Sequence, residues 1–188
     1  VVLVLFAYRY KAGNKTLPFI MIGGTLVALI LLAVSSSPLI AIEAVPPVPA
    51  LRSNWLILHI LFAFFGEAFF TVAFLASIYY LLVREDEKKA AADSITYKTI
   101  VIGYFLFTTG GLFFGSIWAY NAWGRYWGWD PKETSAFITW LVYTIYLHLR
   151  LIRKMRGRAT AIFSIVGFIL TLFTFLGVNF LMQGLHGY

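Results

Sequence analysis

The groups in this chain equipped for chemistry are three histidines (His59, His148 and His186), the glutamate Glu67 inside an apolar run, and one aromatic segment. That segment reads Trp123-Gly-Arg-Tyr-Trp127-Gly-Trp129-Asp130-Pro131-Lys132-Glu133. Imidazole is a common ligand for transition metals, and two imidazoles can hold a haem iron from both axial sides. Three indoles within seven residues exceed what anchoring a chain at a membrane–water interface requires. They offer a broad, flat aromatic surface suited to a large planar apolar ligand. The end of the segment reads mechanically. Asp130 is a good N-cap, Pro131 fits the first helical position, and Glu133 completes a capping box. A helix is expected to begin here, with the aromatic segment just outside it.

Composition sets what must position these groups. Of 188 residues, 61% are hydrophobic and 12% charged, against about 25% charged in soluble domains. The reading is an integral membrane protein of the all-α class, a polytopic helix bundle. A net charge of +7 would point to nucleic acid in a soluble chain; here it reflects basic connectors on one membrane side, and no nucleic acid is expected. The chain has no cysteine, so disulfides and thiolate metal sites are excluded. It begins inside an apolar run, residues 1–8, and is expected to be the C-terminal part of a longer chain rather than to start with a signal peptide.

Five complete spans and one truncated N-terminal helix are expected. Residues 17–34 are apolar and long enough to cross. An external proline-rich segment, 35–53, follows, whose prolines cannot continue a helix. Residues 54–83 would make a helix of roughly 45 Å, longer than a hydrocarbon core of about 30 Å. A charged loop is read at 84–94, then spans at 95–120, 134–152 and 159–182. Gly103, Gly110, Gly111 and Gly115 permit close helix packing within 95–120. The aromatic segment, 118–133, is external, and residues 1–188 are read as one membrane domain.

Twelve of the fifteen basic residues fall in alternate connectors, which places those connectors on the cytoplasmic or stromal side. The proline-rich segment, the aromatic segment and the C-terminal tail then share the opposite face. His59 lies about five residues into its span from that face, and His186 emerges on it. The pair therefore meets the aromatic segment at one level, as haem axial ligands would. A small metal site is the other reading, although no carboxylate or thiol ligand stands beside the pair.

His148 lies roughly 20 Å further in. It is either hydrogen-bonding helix glue, or a ligand whose partner lies in another segment or chain. Glu67 fits a buried hydrogen-bonding role better than proton handling. Asp130 is either a cap alone or a ligand contact. Arg52, Arg125 and Lys132 are the basic residues of the external face, available to pair with carboxylates or simply solvated. Trp55, one turn before His59, either flanks a ligand or belongs to an interfacial belt. Phe62, Phe64, Phe65, Phe69 and Phe70 are read as lipid contact or helix packing.

Trp123-Gly-x-x-Trp127-x-Trp129-Asp130, continuing through Pro-Lys-Glu-Thr to His148, resembles the tryptophan-rich WWD signature of haem-handling membrane proteins. Within them the chain is similar to the CcsA/ResC-type subunit of the system II cytochrome c synthase. Pro47-Val-Pro-Ala-Leu-x-Ser53-Asn-Trp-Leu-x-x-His59 looks like that family's first external histidine segment. Gly177-Val-Asn-x-Leu-x-x-Gly-Leu-His186-Gly-Tyr looks like the second, although the family more often has Ser where Gly187 stands. The resemblance runs from about Ala44 to the C-terminus.

The resemblance implies that His59 and His186 ligate an external haem b held by Trp123, Trp127, Trp129 and Asp130, with Trp55, Arg52 and Arg125 around it. His148 matches the family's second transmembrane histidine, a haem ligand of an inner site; the first has no counterpart in these residues. The implied reaction is thioether formation on the periplasmic or lumenal side of a bacterial inner or thylakoid membrane. Thiols of an apocytochrome c Cys-x-x-Cys-His motif add across the haem vinyl groups, with haem conveyed across the membrane first. A CcsB/ResB-type partner subunit is also implied. The alternative is a system I type haem carrier that delivers haem to a chaperone; His148 and the Pro-Lys-Glu-Thr continuation argue against it. A b-type electron-transfer subunit would place histidine pairs at both membrane levels, which one lone inner histidine does not supply.

Overall fold

A computed structural model describes residues 17–36 and 51–178. Among the described residues the regular structure is helical, as the composition requires. The helices are α1 (Leu17–Ser35), α2 (Asn54–Leu82), α3 (Asp86–Phe107), α4 (Gly115–Trp123), α5 (Pro131–Leu151) and α6 (Arg158–Leu172). A π-helical stretch, Thr108–Phe114, joins α3 to α4, and a second, Phe173–Gly177, extends α6. Among the described residues, three helical runs are long and apolar enough to cross a membrane: Asn54–Leu82, Asp86–Trp123 and Arg158–Gly177. The apolar part of α1, Pro18–Val34, is shorter, and α5 has 21 residues but a more polar sequence, with Lys132, Glu133, His148 and Arg150. The protein is an integral membrane helix bundle.

The bundle is organised around α2, which packs against α1, α3 and α6. Glycine makes the α2–α3 contact close. A Cβ on Gly66 would stand 2.9 Å from the Phe107 backbone nitrogen, and one on Gly103 3.0 Å from the Gly66 carbonyl. Phe70 is fully buried and stacks on Tyr143 of α5 at 3.7 Å between centroids, while Phe74 stacks on Phe168 of α6 at 4.4 Å. The phenylalanine stripe thus divides: Phe70 is core, whereas Phe64 and Phe65 are partly exposed, with Phe64 packed edge-on against Phe175. On the other side, Ile20 of α1 is buried against Ala68, Val72 and Leu75.

The charged stretch 84–94 is not a loop. Helix α3 begins at Asp86, leaving only Val83–Glu85 between α2 and α3. Its residues are good helix formers, and Asp86 and Glu87 in the first turn complement the helix dipole. Charge was read as a break where it is a solvated helical turn. Asp93, one face of that turn, accepts both arms of the Arg150 guanidinium from the end of α5. Arg150 also lies over the Tyr97 ring and donates to the Met155 carbonyl, 3.3 Å away. The start of α3 and the end of α5 are clamped together by this nearly buried pair.

Candidate functional site

His59 sits in the second turn of α2, which starts at Asn54 behind the N-cap Ser53. Its Nδ1 lies 2.8 Å from the Gly110 carbonyl oxygen. A carbonyl can only accept, so Nδ1 carries the proton and donates to it. This is the arrangement by which proteins orient a ligating imidazole. The π-helical stretch and its glycines make it possible. A Cβ on Gly115 would stand 2.9 Å from His59 Nδ1, and one on Gly110 2.5 Å from the Ala63 backbone nitrogen. The ring also stacks on Trp118 of α4, centroids 5.9 Å apart and planes 9° from parallel. Trp118 is 3% exposed, so the stack is built into the fold.

The aromatic segment folds as its capping residues dictate. Gly124 ends α4 in the left-handed region at φ 74°. Asp130 caps α5 by accepting from the Glu133 backbone N–H at 2.9 Å, and Glu133 returns the bond to Asp130 N–H at 3.4 Å. Glu133 also accepts from Gly128 N–H at 2.7 Å, so one carboxylate organises most of the turn. Between these ends, Trp127, Trp129 and Phe137 meet edge to face at 5.9–6.3 Å.

A cavity of about 290 Å³ lies between α2, α4 and the start of α5. His59, Glu67, Trp118, Tyr126, Trp127 and Lys132 are among its lining residues. The Trp127 Nε1–H is buried with no hydrogen-bond partner among the described residues, an unspent donor beside the cavity. Lys132 is half-buried in the cavity wall. A second cavity of about 170 Å³ lies deeper and shares Phe64, Glu67 and Phe175 with the first.

The structure brings together some of the residues singled out from the sequence and separates others. His59 and Trp127 line the cavity. Trp123 does not line it but packs edge-on against Trp118 at 4.9 Å, supporting the wall. Trp129 is 67% exposed on the outer surface. Asp130 is buried in its capping role. Trp55 is exposed and tilted against Phe114 at 6.1 Å. Arg52 is exposed ahead of α2, and the Arg125 side chain is folded over Gly128 rather than into the cavity. His148 is exposed near the C-terminal end of α5, with Ile138, Leu141 and Ile145 on the same outward stripe; its ring makes no hydrogen bond among the described residues. His186 lies outside the described residues. Glu67, expected in a buried hydrogen-bonding role, lines the same cavity as Lys132. Trp118 was missed as a site residue; its spacing of five from Trp123 belongs to a helix turn, and only the fold turns it onto His59.

An aromatic-walled cavity with one oriented imidazole, set in an apolar helix bundle, defines the class as a polytopic membrane protein. The comparisons with known proteins agree on the class. Residues 1–186 match the family model described as Cytochrome C assembly protein. The chain is similar to a cytochrome c biogenesis protein CcsA of Chlamydomonas reinhardtii, at 42% identity over 78% of this chain and 44% of that protein. It is similar to CcsA of Prochlorococcus marinus at 34% identity over 93% of this chain and 68% of the other. For CcsA of Heterosigma akashiwo the figures are 36%, 99% and 72%. The chain thus spans between under half and about seven tenths of the length of these relatives. It belongs to the cytochrome c assembly family, among proteins of the CcsA type.

Proposed function

We propose that this chain binds haem b at its outer face and presents the haem vinyl groups to the Cys-x-x-Cys-His motif of an apocytochrome c. The observation that carries this reading is the His59 imidazole, held through Nδ1 by the Gly110 carbonyl and stacked on Trp118 in the wall of the aromatic cavity. His186 supplies the second axial ligand, and Trp127 with its neighbours holds the porphyrin face. Each substrate thiol adds across one vinyl double bond: sulfur bonds one carbon, hydrogen goes to the other, and a thioether forms. The chain has no cysteine and supplies no nucleophile. Its own residues position the acceptor, and positioning is a sufficient source of acceleration for such an addition.

The reading includes five complete spans and a truncated first one, with α5 as a span despite its polarity. It includes an outward aromatic segment in a bacterial inner or thylakoid membrane, a CcsB/ResB-type partner subunit, and His148 as half of an inner haem site reached on the way across. The outward stripe on which His148 stands is where a further helix would complete that site.

An absorbance spectrum of the purified protein, alone and as His59→Ala, His186→Ala and His148→Ala, tests the assignment. Loss of the low-spin bis-histidine signature in the first two variants is expected. Retention of that signature in both removes the ligand assignment. Haem bound normally but no thioether formed when the partner subunit and apocytochrome are supplied would leave a haem carrier instead of a synthase subunit.

A further inference from the structure

A cavity of about 450 Å³ lies at the opposite end of the bundle from His59, among the end of α2, the first turns of α3, and the turn from α5 into α6. Tyr80, Lys89, Tyr97, Arg150 and Arg156 line it, together with Asp86 and Asp93. The two acids do not cancel the cations. Asp93 is engaged by both arms of Arg150, and Asp86, fully exposed, reaches Lys89 only at 4.0 Å. An exposed pair of that length holds its partner weakly. Arg156 makes no ion pair or hydrogen bond among the described residues.

The backbone keeps Arg156 in this wall. Its neighbour Gly157 stands at φ 96°, and a Cβ there would lie 3.2 Å from Tyr80 Oη, so the turn is seated on the end of α2. Gly157 is also the N-cap of α6 and gives it no side-chain acceptor, so the positive end of that helix adds to the charge of the lysine and arginine. Beside these residues in the chain, Leu151, Ile152 and Met155 are exposed apolar side chains at the end of a membrane bundle. Basic residues that only orient a membrane chain need no cavity, and Arg153 and Lys154 of the same turn stand outside the wall.

We infer that this cavity binds the headgroup phosphate of an anionic phospholipid, with Lys89 and Arg156 as its cations and Tyr80 as a hydroxyl donor. A basic cavity between helix ends at a membrane surface suits such a headgroup. The exposed Leu151, Ile152 and Met155 suit the acyl chains that come with it, whereas a free phosphate or an acidic peptide would leave them in water. A lipid seated there touches α2, α3 and the turn into α6 at once, and stabilises the bundle by mass action. This site is separate from the proposed haem site and does not depend on it.

The test uses the purified full chain, stripped of lipid in a non-ionic detergent and supplied with phosphatidylglycerol or phosphatidylcholine of the same acyl chains. Retained lipid is counted by native mass spectrometry, and thermal unfolding is followed in parallel. One phosphatidylglycerol should be held about tenfold or more over phosphatidylcholine and should raise the unfolding temperature. Lys89→Gln and Arg156→Gln should each lower the preference about fivefold, and Arg153→Gln by under about twofold. Without lipid, all three should unfold at the wild-type temperature. Arg156→Lys keeps the charge and should keep most of the preference, so its loss in a folded Arg156→Lys counts against the site. Equal loss in Arg153→Gln, or a preference that survives Lys89→Gln and Arg156→Gln combined, overturns the site in favour of diffuse surface charge. Displacement of the lipid by equimolar glycerol 3-phosphate, or by an equimolar glutamate-rich peptide, overturns the phospholipid as its occupant.

Discussion

At the scale of the residue, the site turns on room made beside one imidazole. Gly115 is required as glycine because any side chain would meet His59 Nδ1. Gly115→Ala is expected to tilt the ring, break its bond to Gly110, and lower stability by about 1–3 kcal/mol through overpacking. Gly111→Ala, whose Cβ would lie in ordinary contact with the Phe107 ring, is expected to be close to neutral. Thermal unfolding in detergent and the haem spectrum read both; equal effects would deny the special place of Gly115. The sequence showed that glycines in this run permit close packing. It did not show which of them faces a histidine, because that depends on the π-helical stretch, and a π turn is set by what packs around it more than by the residues within it.

At the scale of the element, the start of α5 was legible in full. Asp130, Pro131 and Glu133 carry a local signal, and local signals survive without knowledge of the fold. The same residues show Asp130 acting as a cap. Asp130→Ala is expected to cost about 1–2 kcal/mol, and Asp130→Asn or Asp130→Ser to restore most of it. If Asp130→Asn is fully stable yet loses haem, the carboxylate contacts the ligand after all. The start of α3 was not legible, because a run of charges reads as a loop until a partner is seen. Asp93 finds its partner 57 residues later in Arg150, a distance over which sequence pattern carries no pairing information.

At the scale of the molecule, that pair holds together ends of helices that would otherwise be joined only through the membrane-embedded core. Asp93→Asn or Arg150→Met alone is expected to destabilise by about 3 kcal/mol, since each strands a nearly buried charge. The double variant should be milder than the sum of the two, which a thermal double-mutant cycle would register. Orientation is also testable, because the chain has no native cysteine. Tyr126→Cys should react with a membrane-impermeant maleimide from the periplasmic or lumenal side, and Lys154→Cys only from the opposite side. Reaction of both from one side would overturn the arrangement read from basic residues.

The π-helical stretch Thr108–Phe114 carries a consequence for how this chain tolerates length changes. Removing a single residue there, for example Thr109, would let the run relax to ordinary α geometry and leave the phase of the helix beyond it nearly unchanged, because the wide turn is what absorbs the surplus residue. The helix would survive, the membrane crossing would survive, and the Gly110 carbonyl would lose the place it holds against His59. One surplus residue, sited where a point mutant scan would overlook it, sets the bond that orients the imidazole.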